Sequence, residues 1–397
     1  MTTVGVLGGG QLGRMLGLAG LPLGLRFRFL DPAEAPPAAA VGEHICGDFD
    51  DPAALAEFRK EVDVVTWEFE RVPFEAAAAL APFVPVRPAP GLLRVMQDRL
   101  EQKRLVRSLG IRVAPFAPVH DAVSLEAALR EIGTPARLKA RRGGYDGRGQ
   151  ARVDRPEEAE AAWRQLGEVP AILERHVPFR REIAILAVRD ARGAQRLYPL
   201  VETRQSNGVL VRALAPAPDV DRALRRQARA IAHSLLEALD YVGVLAIECF
   251  ELDDRLIVNE LAPRVHNSGH WTTEGAATSQ FENHLRAIVG LPLGSTRPRG
   301  VSGIVNLLGD VPERASVLAV PGAHLHLYDK RPRPGRKVGH VTVRAAGHGQ
   351  LRDRMRRIES LLPSRVSLLR TEAPPPAAGS LHGPSRLGPV AAAEVRP

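Results

Sequence analysis

The sequence predicts an α/β N-terminal unit, an α+β body and a small β-rich C-terminal domain. Three observations carry that expectation. The chain opens with a strand, a glycine turn, a helix and a second strand that ends in an acid. Its middle holds a glycine-dense loop between short strands. From Val244 to Val258, two apolar, β-branched runs flank Asp253-Asp254, which reads as a buried hairpin. At 397 residues there is room for two or three domains.

Composition narrows the class. Hydrophobic residues make up 45% and charged residues 25%, as in soluble globular proteins. No apolar run approaches the roughly 20 residues of a membrane span, so no membrane partner is expected. The N-terminus runs straight into a strand without a basic n-region, so no signal peptide is expected and the chain reads as cytoplasmic. Cys46 and Cys249 are too few for a disulfide framework or a zinc site. The net charge of +9 raises a basic, non-catalytic polyanion-binding protein as an alternative. Its arginines are spread along the chain rather than gathered, however, and no nucleic-acid partner is expected. Lysine occurs only at 60, 103, 139, 330 and 337. In an arginine-rich chain, lysine is retained where a compact, flexible ammonium is needed.

Val4–Leu7 is a buried strand. Gly8-Gly9-Gly10-Gln11-Leu12-Gly13 and a helical run to about Leu21 follow, then a strand Arg26–Leu30 ending at Asp31. That pattern satisfies the dinucleotide-binding fingerprint, although glycines needed only for close strand-to-helix packing would read alike. Val62–Thr66 is another strand, and Glu70 beyond it sits where open α/β sheets bind ligands. A proline-rich stretch to Pro90 closes this unit, predicted as residues 1–97. Asp98 is an N-cap for a helix ending at Ser108-Leu109, and on that pattern Lys103 is a surface lysine. A small α+β unit spans about 111–175: helix Ser124–Ile132, strand Ala136–Lys139, strand Ala151–Val153, helix Pro156–Leu166 and strand Ala171–Arg175. Its loop Arg142–Gln150 has four glycines in seven residues, so backbone N–H groups can turn inward around phosphate oxygens. It lacks the Gly-Lys-Ser/Thr of a Walker A loop.

From Asp221 to Leu239, apolar residues at Leu224, Ala228, Ile231, Leu235 and Leu239 mark one helix face. The hairpin follows. Buried strands seldom carry carboxylates, yet each strand here carries one, Glu248 and Glu260. Two facing acids repel unless a cation lies between them, and oxygen ligands suit Mg²⁺. A two-residue loop at Asp253-Asp254 would pair Glu248 with Asn259. A three-residue loop, Asp253 to Arg255, pairs Leu252 with Leu256 and sets Glu248 opposite Glu260. The second is expected, or a bulge with the same result. One solvated edge glutamate per strand is the plain alternative. Beyond the hairpin, Arg264, His266, Asn267 and His270 crowd a loop that needs no such groups to connect strands. The C-terminal domain, predicted as 297–371, carries a strand Gly303–Leu308 and a basic Pro/Gly loop from Tyr328 to His340 suited to phosphate. Residues 372–397 are Pro- and Ala-rich without periodicity and read as a disordered tail.

The segment NELAPRVHNSGHWT, residues 259–272, resembles the signature of the N5-carboxyaminoimidazole ribonucleotide synthetase family of ATP-grasp ligases. GGGQLGRM, GGYDGRGQ and YDK…RPGRKVGH are similar to motifs of the same family, in the expected order over roughly residues 3 to 365. The resemblance implies an ATP-grasp fold over 98–296, a Rossmann-like N-terminal domain without NAD, and a small C-terminal domain. It implies carboxylation of the exocyclic amine of 5-aminoimidazole ribonucleotide with ATP and bicarbonate, through carboxyphosphate, in purine biosynthesis. Glu248 and Glu260 would hold Mg²⁺, with Mn²⁺ possible, and Asn259 would belong to the nucleotide site. Lys103 and Lys139 would reach the nucleotide phosphates. Glu174 would lie on the adenine side with the backbone near Val177, and Glu182 would take the ribose hydroxyls.

In the same way, Gly144 and Gly147 belong to a lid over ATP, while Tyr145, Asp146 and Arg148 face the second substrate. Arg264, His266 and Asn267 would cradle bicarbonate. Gln11 and Glu70 would help hold the ribonucleotide, whose 5′-phosphate falls to Lys330, Arg336 and Lys337. A homodimer is implied as well. One departure stands out: the family usually shows VEN-x-H-x-DG where this chain reads Val201-Glu202-Thr203-Arg204-Gln205-Ser206-Asn207-Gly208, and nothing is carried over to Gln205. A sibling, the formate-dependent glycinamide ribonucleotide transformylase type, would share the metal hairpin but lack GGYDGRGQ and RPGRKVGH.

Overall fold

The computed structural model describes residues 1–144 and 148–362. Tyr145, Asp146 and Gly147, and the tail expected over 372–397, lie outside the described residues. The N-terminal strands are β1 (Thr3–Leu7), β2 (Arg26–Asp31), β3 (Glu43–Cys46) and β4 (Val64–Trp67). They form a parallel sheet in the order β3-β2-β1-β4. β1 and β4 are buried at every position, which is why they read as unbroken apolar runs rather than alternating ones.

A second sheet is antiparallel, in the order β5-β8-β6-β7, with β5 (Phe116–Val119), β6 (Ala136–Ala140), β7 (Gln150–Val153) and β8 (Ala171–Arg175). The helix before it, Arg99–Ser108, is capped by Asp98, whose carboxylate accepts from the Leu100 N–H at 3.0 Å. The remaining strands build one nine-stranded sheet. They are β9 (Arg181–Arg189), β10 (Gln195–Leu197), β11 (Val201–Ser206), β12 (Val209–Ala215), β13 (Gly243–Leu252), β14 (Arg255–Ala262), β15 (Val301–Leu308), β16 (Ala323–Leu327) and β17 (Lys337–Ala345). Their order is β14-β13-β9-β11-β12-β15-β17-β16, with β10 against β9. The C-terminal strands therefore extend the central sheet through the β12–β15 pairing, a continuity the sequence pattern did not reveal.

The helix Arg222–Ala238 covers this sheet and buries Leu224, Ala228, Ala232, Leu235 and Leu236. Ile231 and Leu239, expected on the same face, are only partly buried because the contacting stripe is centred slightly further round the helix. The N-terminal sheet docks on the central one through a shared apolar cluster, with Val4 and Val6 on one side and Val188 and Val244 on the other, and through polar contacts. His284, on the helix Gln280–Ile288, has Nε2 3.0 Å from Thr66 Oγ1 and accepts the Val244 N–H at Nδ1, 3.1 Å away. Trp67 Nε1 donates to the Pro263 carbonyl at 3.2 Å. These contacts bring the carboxyl ends of β1 and β4 beside the β13–β14 hairpin.

Burial holds the His284 imidazole down at about 4, from an ordinary 6.5, so it is neutral in the folded chain. Between those values the unfolded chain carries a proton that the folded one lacks. Its contribution to stability is therefore full above pH 6.5 and is lost as pH drops towards 4. In urea unfolding at pH 7.5, 6 and 5, His284→Asn should lose less with acid than the parent. The expected difference in slope is about 1.4 kcal/mol per pH unit; parallel slopes would remove His284 from the account.

Candidate functional site

β13 and β14 join through Asp253-Asp254, both at positive φ (47° and 58°), as a two-residue hairpin loop requires. Leu252 pairs with Arg255, so the loop is one residue shorter than the expected three. The register then shifts between Glu248 and Cys249: Cys249 faces Val258, Glu248 faces Glu260, and Asn259 is the extra, bulged residue. The bulge, not the loop, brings the two acids together. Glu248 lies partly buried, with 23% of its side chain exposed, whereas Glu260 is 45% exposed. Burial first, then the neighbouring Glu260 and Glu182 carboxylates, push the Glu248 carboxyl up to about 8. Gln205 Nε2 donates to Glu248 Oε2 at 3.5 Å, and His266 Nε2 stands 3.6 Å from Glu248 Oε1. The amide at Gln205, the departure from the family pattern, thus faces one of the paired acids. Among the described residues no cluster of three or more His, Cys, Asp or Glu is arranged to hold a metal. The pair fits a hard cation that takes its remaining ligands from phosphate and water.

Two lysines flank this pair. Lys103, which patterned as a surface residue, is 3% exposed because its helix packs against β14. Its Nζ donates to the Val258 carbonyl at 3.3 Å and lies 3.5 Å from Glu174 Oε1. Lys139 Nζ is 2.9 Å from Glu174 Oε2 and 3.2 Å from Asn259 Oδ1, so the bulged residue also orients a lysine. Burial pulls the Lys103 ammonium down against the attraction of Glu174. Burial pushes Glu174 up, but the two ammoniums outweigh it and leave the carboxyl below its ordinary range. Glu174, expected on the adenine side, is 3% exposed and turned to the lysines, because two buried ammoniums need one shared counter-charge. Val177 is buried in the segment after β8. Glu182, on β9 opposite Phe250, accepts the Gln205 backbone N–H, and burial raises it to about 7. Phe250 shares the Glu248 face by strand alternation and stacks on Phe179 with ring centres 4.6 Å apart.

Arg99 was not foreseen. Its guanidinium donates to the carbonyls of Ala140 (2.9 Å) and Gly144 (3.2 Å) and stands 3.9 Å from Glu260. A Cβ on Gly144 would meet the Arg148 carbonyl oxygen at 2.8 Å, a backbone atom that cannot swing aside as the Arg99 guanidinium can, so glycine is required there. Arg141 forks onto Asp98 at 3.0 and 2.7 Å, tying the loop base to the same helix. The only signal for Arg99 was its place one turn before Lys103. Arg148 is exposed at the far side of the loop.

Past the hairpin, Arg264 forks onto Glu70 at 2.8 and 2.5 Å. Two residues expected to serve different substrates therefore form one pair. His266 Nδ1 lies 2.8 Å from Ser268 Oγ, and its ring is held neutral chiefly by burial, with Arg264 and Lys337 nearby. The Asn267 amide is engaged at both ends by Asn306, at 3.1 and 2.7 Å, so it locks the loop to β15 instead of standing open. Lys330 donates to Gln11 Oε1, bridging the C-terminal loop and the N-terminal turn. Lys337 lies near enough to Glu248 to lower its pKa, and Arg336, the residue before it, is half-buried and donates to the Arg331 carbonyl at 3.2 Å. Acids, lysines and the two basic loops thus converge from three parts of the chain.

Family comparisons agree with this geometry. Residues 1–97 match a ribonucleotide synthetase pre-ATP-grasp domain, residues 104–281 an ATP-grasp domain, and residues 302–354 a phosphoribosylaminoimidazole carboxylase C-terminal domain. The chain is 50% identical to the N5-carboxyaminoimidazole ribonucleotide synthase of Pseudomonas aeruginosa, over 90% of this chain and 99% of that one. It is similar to the crystal structure of the corresponding synthetase from Thermus thermophilus (TM-score 0.87, 53% identity, covering 90% and 98% of the two chains). It is also similar to the Aspergillus clavatus synthase in complex with ADP and 5-aminoimidazole ribonucleotide (TM-score 0.84, 33% identity, covering 92% and 98%).

Removing Glu174 would strand two buried ammoniums. Glu174→Ala should cost about 3–5 kcal/mol in urea unfolding. Adding Lys103→Met and Lys139→Met to it should recover much of that loss. A Glu174→Ala protein as stable as the parent would show that the triad is not coupled.

Proposed function

Because the chain belongs to the N5-carboxyaminoimidazole ribonucleotide synthases, ATP-dependent ligases of purine biosynthesis built on the ATP-grasp fold, we propose how its residues divide the work on ATP, bicarbonate and 5-aminoimidazole ribonucleotide. The observation that carries the reading is Glu248 opposite Glu260, flanked by Lys139 and Lys103. Glu248 and Glu260 hold Mg²⁺ or Mn²⁺, which supplies charge neutralisation and alignment of the nucleotide phosphates when bound.

Bicarbonate is a poor electrophile, and transfer of the γ-phosphoryl group makes carboxyphosphate, whose breakdown delivers CO₂ beside the exocyclic amine. Phosphoryl transfer depends on positioning and charge more than on covalent help from the protein. Lys103 and Lys139 neutralise the phosphates, with Glu174 holding both ammoniums in place. Arg99 and Gly144 carry the loop that covers the nucleotide, and Glu182 accepts from the ribose hydroxyls. Phe250 walls the nucleotide pocket. Arg264, aimed by Glu70, and His266 lie beside the bicarbonate, while Asn267 fixes their loop through Asn306. By the family likeness, Tyr145, Asp146 and Arg148 act on the second substrate, where free water would hydrolyse carboxyphosphate. Lys330, Arg336 and Lys337 take the 5′-phosphate of the ribonucleotide. A cytoplasmic homodimer completes the proposal and rests on the family likeness alone.

The test is ADP release from ATP, bicarbonate and the ribonucleotide with added Mg²⁺. Release should need the ribonucleotide and stop with a chelator. It should fall at least about 100-fold in Glu260→Ala, equivalent to about 3 kcal/mol. Release that responds instead to glycinamide ribonucleotide and formate would reassign the substrate. Lys337→Ala should raise the KM for the ribonucleotide about 10- to 100-fold with a smaller change in kcat, the value of one charged hydrogen bond to phosphate. An unchanged KM would move the phosphate site elsewhere.

A further inference from the structure

The glycine turn after β1 meets the sequence rule for a dinucleotide-phosphate cradle, yet its donors are already taken. Gly10 and Gly13 direct their N–H groups at one side chain, Glu68, at 2.5 Å to Oε1 and 2.7 Å to Oε2. Gly9 donates to Asp31 Oδ2 at 2.8 Å, and Ala33 donates to Asp31 Oδ1 at 2.9 Å. Asp31 is the acid that would take a ribose hydroxyl in a dinucleotide enzyme. Here it closes its own loop.

Glu68 follows β4 and is 6% exposed, lying across the amino end of the ten-residue helix Gln11–Gly20. That helix has no acid in its own first turn, so this end is open to a negative charge from elsewhere. The fit is close: a Cβ on Gly8 would meet Glu68 Cγ at 2.6 Å, and one on Gly10 would strike the carboxylate itself. Burial raises the carboxyl, while the Gly13 and Gly10 N–H groups and the nearby Lys330 oppose that rise. Lys330 also donates to Gln11, the first residue of the same helix.

We propose that Glu68 is a built-in anion that fills the phosphate cradle of the N-terminal domain, making it a specificity-determining residue. With the cradle closed, the domain has no place for a dinucleotide pyrophosphate. The substrate's single phosphate is left to the basic loop carrying Lys330, Arg336 and Lys337. The last step rests on the phosphate site proposed above, whereas the closed cradle does not.

Inorganic pyrophosphate is the probe, with the nucleotide site saturated by ADP and no divalent cation present. In calorimetry, Glu68→Ala should bind one more equivalent of pyrophosphate than the parent protein. Equal stoichiometry would overturn the proposal. Should Glu68→Ala fail to fold, the parent protein still decides. With glycine ¹⁵N-labelled, the Gly10 and Gly13 amides should exchange slowly without added anion, and pyrophosphate should leave their rates unchanged. Fast exchange, or slowing on addition of pyrophosphate, would overturn it. Lys337→Ala separates the two readings: an unchanged ribonucleotide KM there would sink the phosphate site while leaving the closed cradle standing.

Discussion

Everything in this molecule answers to one electrostatic constraint, two carboxylates held opposite each other on neighbouring strands. Glu248 and Glu260 are brought into register by a single extra residue, Asn259, and burial first, then the facing Glu260, raises the Glu248 carboxyl. Were Asn259 paired in a regular ladder instead of bulged, it would face Glu248, and the period-two alternation would turn Glu260 to the other face. The same residue turns its amide oxygen to Lys139. One bulge therefore sets both the acid pair and one of the cations beside it.

Charge is then distributed in layers. Beneath the acids, the Lys103–Glu174–Lys139 triad is nearly sealed from water, so its geometry is stiff and its net charge positive. Above them, the Arg264–Glu70 pair and the basic loop around Lys337 arrive from the loop after β14, the N-terminal domain and the C-terminal strands. The β12–β15 pairing makes this convergence possible, because it carries the C-terminal strands on the same sheet as the hairpin. In the N-terminal domain, Glu68 plays a parallel part: an internal charge occupies a site that an open fold would leave to a ligand.

The fold class was legible because its signals are local. Glycine turns, apolar runs and helix caps such as Asp98 act over a few residues. The acid pair was legible, and the bulge was one of the two routes expected to it, but the pattern did not choose between them. Turn length and bulge position are interchangeable in a pattern of period two, and only the fold chose a two-residue turn with a bulge. Tertiary partners were the least visible. Lys103 occupies a polar helical position and gives no local sign of burial. The use of Glu174 by two lysines, of Glu70 by Arg264 and of Asn267 by Asn306 joins residues 35 to 194 positions apart. Arg99 was hidden for the same reason, since its partners lie in a different sheet and in the opposite strand.

The central claim is that Glu248 and Glu260 form one divalent-cation site. It is tested most directly by counting Mn²⁺ by electron paramagnetic resonance, with a non-hydrolysable ATP analogue bound. The parent protein should take up Mn²⁺ saturably, and Glu248→Gln and Glu260→Gln should each abolish that uptake while the analogue can still be bound. Full Mn²⁺ occupancy in either variant would contradict the account.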